Sequence, residues 1–220
     1  MDSPLCLKFW GTRGLISSPR TDTAIFGGNT TCMQVLFEDR IIVIDTGFGV
    51  TNLGESLLKK AIKGENLCID ILYTHFHWDH IQGLPFFHPI YFPNTTLNLY
   101  SPISENKMEE HLNFLFDGSY SPFEGIRSMP SKINFIKLKD GQSLGKLKVE
   151  FIPLDHGDCA GGEQSCSPDK KNNAYDPIGF GYKLTDPEGK RLVIATDHEA
   201  RSGVVNLLDL FCKTCRDSSS

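Results

Sequence analysis

One short stretch constrains this chain more than any other: Tyr73-Thr74-His75-Phe76-His77-Trp78-Asp79-His80. It follows an apolar run (Ile69, Ile71, Leu72) and holds three of the chain's seven histidines. Two positions separate His75 and His77, so in an extended or tightly turned segment both side chains project to the same side. Asp79 and His80 follow a bend and can face a second centre nearby. Imidazole and carboxylate together suit zinc, manganese or iron, whereas a histidine-rich surface turn has no need of this cluster directly after a buried strand.

The surrounding pattern alternates apolar runs with one segment of helical spacing. Ile41-Ile42-Val43-Ile44 predicts a buried strand that delivers Asp45 to its end. The segment from Asn52 to Lys63 has leucines at helical spacing and is closed by Gly64. The strand that leads to the histidine cluster follows. This order of strand, helix and strand predicts a layered α/β fold.

Five further motifs have a recognisable order along the chain. They are Gly11-Thr12-Arg13-Gly14, Gly27-Gly28-Asn29-Thr30-Thr31-Cys32, Ile44-Asp45-Thr46-Gly47, His80-Ile81-Gln82-Gly83-Leu84-Pro85-Phe86-Phe87 and Ala195-Thr196-Asp197. With His-x-His-x-Asp-His they resemble the metallo-β-lactamase superfamily, in its ribonuclease-Z-like and phosphodiesterase-like branch. The resemblance runs from about Leu5 to about Leu210 and implies an αββα sandwich whose C-terminal part is incomplete.

The resemblance also implies a set of metal ligands. The first ion would be held by His75, His77, His156 and a shared Asp197, and the second by Asp79, His80 and Asp197. Two divalent ions are expected, zinc in the first instance, with manganese or iron as alternatives. Family members add a last histidine after a helix that we predict over 203–211, and no histidine is left for that role here unless His198 is recruited. The second site is therefore expected to be incomplete. Asp45 would brace the metal loop, or else bond to nearby backbone amides as a turn residue.

The resemblance implies hydrolysis of a phosphodiester, such as a cyclic nucleotide, by a hydroxide that the two ions share. Asp79 would orient the hydroxide and Asp197 would hold the pair of ions together, so these two residues are the predicted catalytic ones. A hydrolase of esters, thioesters or lactones on the same fold is one alternative. A catalytically weak or silent metal-binding paralogue is another, because of the missing histidine. Processing of transfer RNA ends is a third, although no separate basic arm is visible.

Composition limits the setting of this chemistry. A chain of 220 residues predicts a single domain over 1–220, with a flexible polar insertion at about 157–178 and a disordered tail from about 213. A net charge of −5 argues against an extended nucleic-acid surface, so a small-molecule phosphodiester is the expected substrate. No secretory signal or membrane span is visible, and the seven cysteines fit a reducing cytoplasm. Family analogy predicts a homodimer. Cys212 and Cys215 form a Cys-x-x-Cys pair that gives a weaker prediction of a metal clamp.

Overall fold

The computed structural model describes residues 4–154, 156 and 179–198. The predicted insertion at 157–178, the helix at 203–211 and the tail from 213 lie outside the described residues. The chain forms two compact units that divide between Lys139 and Asp140, and each unit is built around one sheet. The prediction of a single domain over 1–220 stays a prediction.

The first unit contains a six-stranded sheet in which the strand order follows the chain. The strands are β1 (Cys6–Gly11), β2 (Cys32–Phe37), β3 (Arg40–Ile44), β4 (Leu67–Leu72), β5 (Thr95–Ser101) and β6 (Lys132–Lys137). The first three are antiparallel, with β2 and β3 joined by a turn at Glu38 and Asp39, and β3 to β6 are parallel. The helices are α1 (Val50–Ile62), α2 (Trp78–Ile81) and α3 (Glu105–Asn113), with five short 3-10 helices.

Parallel pairing of β3 and β4 places two polar segments at one edge of this sheet. Ile44 is paired with Leu72, and each is the last residue of its strand. The carboxyl ends of parallel strands meet at the same sheet edge, so Asp45 emerges beside the loop that begins at Tyr73. Asp45 lies close to the histidine cluster because each directly follows one of two neighbouring parallel strands.

Helix α1 covers one face of this sheet. Its buried positions Val50, Leu53, Leu57 and Ala61 recur at intervals of three and four residues, the spacing of one helix face. They pack in a core cluster with Ile69 and other strand residues that are fully buried. Each large apolar side chain buried in this way contributes roughly 1.5–3 kcal/mol. The helix begins two residues before the predicted Asn52, because its first turn is held by backbone bonds from the preceding loop and not by a side-chain cap.

A buried carboxylate interrupts the apolar pattern of β4. Asp70 is 1% exposed and accepts hydrogen bonds from the Arg40 guanidinium, from Asn98 Nδ2 at 3.0 Å and from the Tyr100 hydroxyl at 3.4 Å. Asn134 Nδ2 donates to Asn98 Oδ1 at 2.8 Å, which extends the polar row across β3, β4, β5 and β6. The charge of Asp70 is therefore paired and hydrogen-bonded, as burial requires.

This polar row makes stability sensitive to alkaline pH. Burial, followed by the neighbouring Asp70 carboxylate, raises the pKa of Tyr100 to about 12. An unfolded tyrosine has a pKa of about 10, so the folded state holds the proton more tightly. The resulting stabilisation is complete below about pH 10 and is lost as the pH rises towards about 12; at most it is about 3 kcal/mol. We expect urea unfolding at pH 9 and pH 11.5 to show a smaller loss of stability for Tyr100→Phe than for the wild type. Equal losses in the two proteins would contradict the prediction.

The second unit contains a four-stranded antiparallel sheet with the order β10-β9-β8-β7. Its strands are β7 (Gln142–Leu144), β8 (Leu147–Leu154), β9 (Gly179–Thr185) and β10 (Arg191–Ile194). Strand β7 is absent from the sequence prediction, since three residues after a turn carry too little periodicity to identify. Strands β8 and β10 lead to His156 and Asp197 respectively. Two sheets with interspersed helices confirm the predicted α/β class. Among the described residues, no helix has both the length and the apolar character needed to cross a membrane.

Candidate metal centre

The loop after β4 brings its three imidazoles together. His77 is the N-cap of α2 in an extended conformation, and Asp79 and His80 lie in the single turn of that helix. The ring centroid of His75 lies 4.5 Å from that of His77 and 4.1 Å from that of His80. His75 and His80 are each 1% exposed, and His77 is half-buried. The three histidines of the predicted cluster therefore lie together in the first unit, and their role as ligands stays a prediction.

Asp45 orients this loop from behind. Its carboxylate is fully buried and accepts three hydrogen bonds: from Thr74 N at 2.7 Å, from Thr74 Oγ1 at 2.7 Å and from His80 Nδ1 at 2.8 Å. The predicted bracing role of Asp45 is confirmed. Because Nδ1 of His80 donates its proton to the carboxylate, Nε2 is the ring nitrogen that carries the lone pair. That arrangement is typical of metal-binding histidines.

Thr74 transmits the same orientation to His75. The Thr74 hydroxyl gives its proton to Asp45, so its oxygen accepts from His75 Nδ1 at 3.1 Å. The proton of His75 is thereby placed on Nδ1 and the lone pair on Nε2. Sequence reasoning did not assign Thr74 a role. Its hydroxyl directly before a candidate ligand is the signal that could have identified it.

The turn after β3 packs closely on the metal loop. Thr46 N donates to His80 O at 2.8 Å, and Gly83 N donates to Thr46 O at 2.9 Å. A Cβ added to Gly47 would lie 2.2 Å from the carbonyl oxygen of Asp79, so no larger residue fits there without backbone movement. This contact explains why glycine follows Asp45 and Thr46 in the motif.

Asp79 is positioned by a segment far away in the sequence. Its side chain is 14% exposed, and Oδ2 accepts a hydrogen bond from the backbone N–H of Leu15 at 2.9 Å. The same oxygen lies 3.8 Å from His80 Nε2. Arg13 donates through Nε to Ile16 O at 2.9 Å and thereby braces the same loop.

The second unit brings its own two predicted ligands together. His156 Nε2 lies 3.5 Å from Asp197 Oδ2, and the side chains are 16% and 35% exposed. An imidazole and a carboxylate at this separation offer two ligand atoms of the kind that zinc accepts. The ring nitrogens of His198, the next residue, have no hydrogen-bond partner within the described part of the chain. A ligand role for His198 stays a prediction.

Two other histidines have structural or surface positions outside the predicted ligand set. His111 is exposed and its ring stacks on Phe76 with a centroid distance of 5.0 Å. His88 lies in a 3-10 helix and faces the backbone of α1 at Gly54. Tyr120 and Phe123, from an aromatic stretch, line a cleft of about 750 Å³ in the first unit.

A family model described as the Beta-lactamase superfamily domain matches residues 40–206, which include all six predicted ligands. The chain belongs to the beta-lactamase superfamily. Membership implies the use of divalent metal ions. The donor set fits such ions, because His75 and His80 are held with Nδ1 protonated and carboxylates lie close to imidazoles.

Individual members of the superfamily resemble the chain more weakly. Ribonuclease Z from Clostridium kluyveri is 27% identical over 140 residues, which cover 59% of this chain and 40% of that protein. The chain thus spans less than half the length of this relative. Among solved structures, the metallo-beta-lactamase fold protein YhfI from Bacillus subtilis has a TM-score of 0.54 at 14% identity, covering 89% of this chain and 63% of that one. Unliganded yeast PDE1 has a TM-score of 0.54 at 16% identity, covering 94% and 70%. The structure of human tRNase Z, short form, has a TM-score of 0.50 at 18% identity, covering 95% of this chain and 73% of that one. These structures support the fold.

Proposed function

We propose that this protein is a metal-dependent phosphodiesterase. The observation that carries the proposal is the hydrogen-bond network from Asp45 to the imidazoles of His80 and, through Thr74, of His75. A fully buried carboxylate that fixes two neighbouring histidines in one tautomer is an arrangement suited to presenting Nε2 atoms to a cation. A structural turn would gain little from holding both rings in this way.

The proposed ligand assignment is the one that the resemblance implies. His75, His77, His156 and Asp197 hold one ion, and Asp79, His80 and Asp197 hold a second, with zinc as the expected metal and manganese or iron as alternatives. Bound divalent ions supply positive charge beside the reacting phosphate and make water a stronger nucleophile at neutral pH. The number of ions and their identity belong to this proposal.

The protein groups have separate roles in the proposed reaction. Asp79 orients the attacking water through its carboxylate, which the Leu15 N–H holds in place. Asp197, whose Oδ2 lies 3.5 Å from His156 Nε2, would hold the pair of ions together. Asp45 does not touch substrate but keeps the rings of His75 and His80 in a fixed orientation, which limits reorganisation during the reaction.

Similarity to ribonuclease Z and to human tRNase Z favours a phosphodiester bond over an acyl bond as the target. We propose a small phosphodiester, for example a cyclic nucleotide, and not RNA, because a net charge of −5 does not provide the basic surface that gripping RNA requires. Processing of transfer RNA ends is the second candidate, and similarity to ribonuclease Z is the observation that favours it.

The test combines metal analysis with a substrate panel on one preparation. We expect mass spectrometry to find two divalent ions per chain and bis-p-nitrophenyl phosphate to be hydrolysed with loss of activity on chelation. Lactone and thioester substrates should be hydrolysed far more slowly. Hydrolysis of those esters without phosphodiesterase activity would select the alternative hydrolase. Bound metal without any turnover would select the silent paralogue, and cleavage of only a transfer-RNA precursor would select RNA processing.

Two properties of the whole protein are also proposed. Three described cysteines, Cys6, Cys32 and Cys68, carry free thiols, which supports a reducing compartment such as the cytoplasm. Family resemblance supports a homodimer. Sedimentation velocity of the full chain measures the second property directly, and a monomer at micromolar concentration would contradict it.

A further inference from the structure

The segment 12–30 forms a cross-bonded ribbon beside Asp79. Its two arms are joined by backbone hydrogen bonds from Thr12 and Arg13 to Asn29 at 3.1 and 3.0 Å and from Ser18 to Gly28 at 2.9 Å. Leu15 N–H donates to Asp79 Oδ2 at 2.9 Å. A Cβ added to Gly14 would lie 3.9 Å from the same oxygen. Leu15 is therefore held directly against the carboxylate that we assign to the reaction.

The side chains beside this contact are apolar and face solvent. Leu15 is 81% exposed and Ile16 is 63% exposed. Leu15 also has a φ of 70°, a left-handed conformation that is unfavourable for a branched side chain. Trp78, which directly precedes Asp79 in the sequence, is 53% exposed. Strained backbone and exposed apolar surface at one place are typical of ligand contacts.

We propose that Leu15 and Ile16 form an apolar lip that contacts the ester group of the substrate. The preferred phosphodiesters then carry an apolar group, aryl or alkyl, on the side of the phosphate that faces Asp79. This inference rests on the proposed function and narrows its substrate class: among small phosphodiesters it favours aryl and alkyl diesters over the cyclic nucleotide that served as the example.

The chemistry of the lip disfavours a sugar at the same position. Neither Leu15 nor Ile16 has a side chain that can donate or accept a hydrogen bond. A hydroxyl placed against this surface would lose its bonds to water without replacement. An aryl or alkyl group placed there would remove apolar area on both partners from water.

Leu15→Gly isolates the contribution of the side chain. Glycine keeps the N–H that binds Asp79 and adopts a φ of 70° without strain, so only the apolar group is removed. Ile62→Ala, at an exposed apolar position at the end of α1, is the matched control. The zinc-loaded full chain is titrated in a calorimeter with diphenyl phosphate and with dimethyl phosphate, which carry equal charge.

We expect the wild type and Ile62→Ala to bind diphenyl phosphate at least about tenfold more tightly than dimethyl phosphate, and Leu15→Gly to lose about tenfold of that ratio. Zinc content and the affinity for dimethyl phosphate should not change. An unchanged ratio in Leu15→Gly, or a wild type without a preference for diphenyl phosphate, overturns the inference.

Turnover of bis-p-nitrophenyl phosphate by the same preparation tests the proposed function separately. If Leu15→Gly loses discrimination but the wild type has no turnover, the lip stands and the phosphodiesterase assignment fails. If the wild type turns over and discrimination does not depend on Leu15, the phosphodiesterase stands and the lip fails.

Discussion

Replacing His77 by alanine is expected to lower turnover of bis-p-nitrophenyl phosphate about 100- to 1,000-fold and to reduce the metal content of the purified protein. The charge of a catalytic metal contributes several kcal/mol of transition-state stabilisation, and each 1.4 kcal/mol is a factor of ten in rate. His77 suits this test because its ring is only half-buried. Loss of the ring should therefore affect the metal more than the stability of the fold.

His111→Ala is the matched control for this prediction. His111 is exposed on α3 and stacks on Phe76, the residue between His75 and His77, but it belongs to no predicted ligand set. We expect it to retain both its metal and its turnover. The measurements are metal content by mass spectrometry, turnover at saturating substrate and the urea unfolding midpoint. If His77→Ala retains full metal content, or if both variants lose metal equally, the ligand assignment in the loop is wrong.

The elements around the metal loop could be predicted from sequence because local patterns determine them. The run Ile41–Ile44, the helical spacing of Leu53 and Leu57, and the run that ends at Leu72 each identify one element by periodicity alone. The position of a polar residue that directly follows a buried strand is then restricted to the end of the sheet. The predicted bracing by Asp45 succeeded for that reason.

The contacts that could not be predicted join residues far apart in the sequence. Asp70 lies in a strand that otherwise consists of apolar residues and cysteine, and its partner Arg40 becomes visible only when β3 and β4 are known to be neighbours. Likewise, 64 positions separate Leu15 from Asp79, and the donor is a backbone N–H that every residue other than proline has. No property of the leucine side chain indicates that its backbone N–H binds Asp79. Strand order and loop path determine these contacts, and neither follows from local periodicity.

Asp45→Asn is expected to weaken zinc binding about 10- to 100-fold, the range typical for loss of a group that orients a metal-binding histidine. The backbone is not the cause, since Asp45 has a φ of 58° and asparagine tolerates the left-handed region as well as aspartate does. The carboxylate oxygens accept from three donors, on Thr74 N, Thr74 Oγ1 and His80 Nδ1. An amide has one NH2 group, which must face at least one of these donors in either orientation. A buried donor left unpaired costs roughly 1–3 kcal/mol.

Asp70→Asn provides the comparison, because Asp70 is a second aspartate of the same sheet that is almost fully buried and bonded to several donors. It lies within β4 and not at the strand end that carries the metal loop. Both variants should lose stability in urea, yet only Asp45→Asn should lose zinc affinity when the metal is competed with a chromogenic chelator. If the two variants bind zinc equally well, Asp45 stabilises the fold without tuning the ligands. If Asp45→Asn alone loses the metal, the hydrogen bonds to His80 and, through Thr74, to His75 determine how the loop presents its nitrogen atoms.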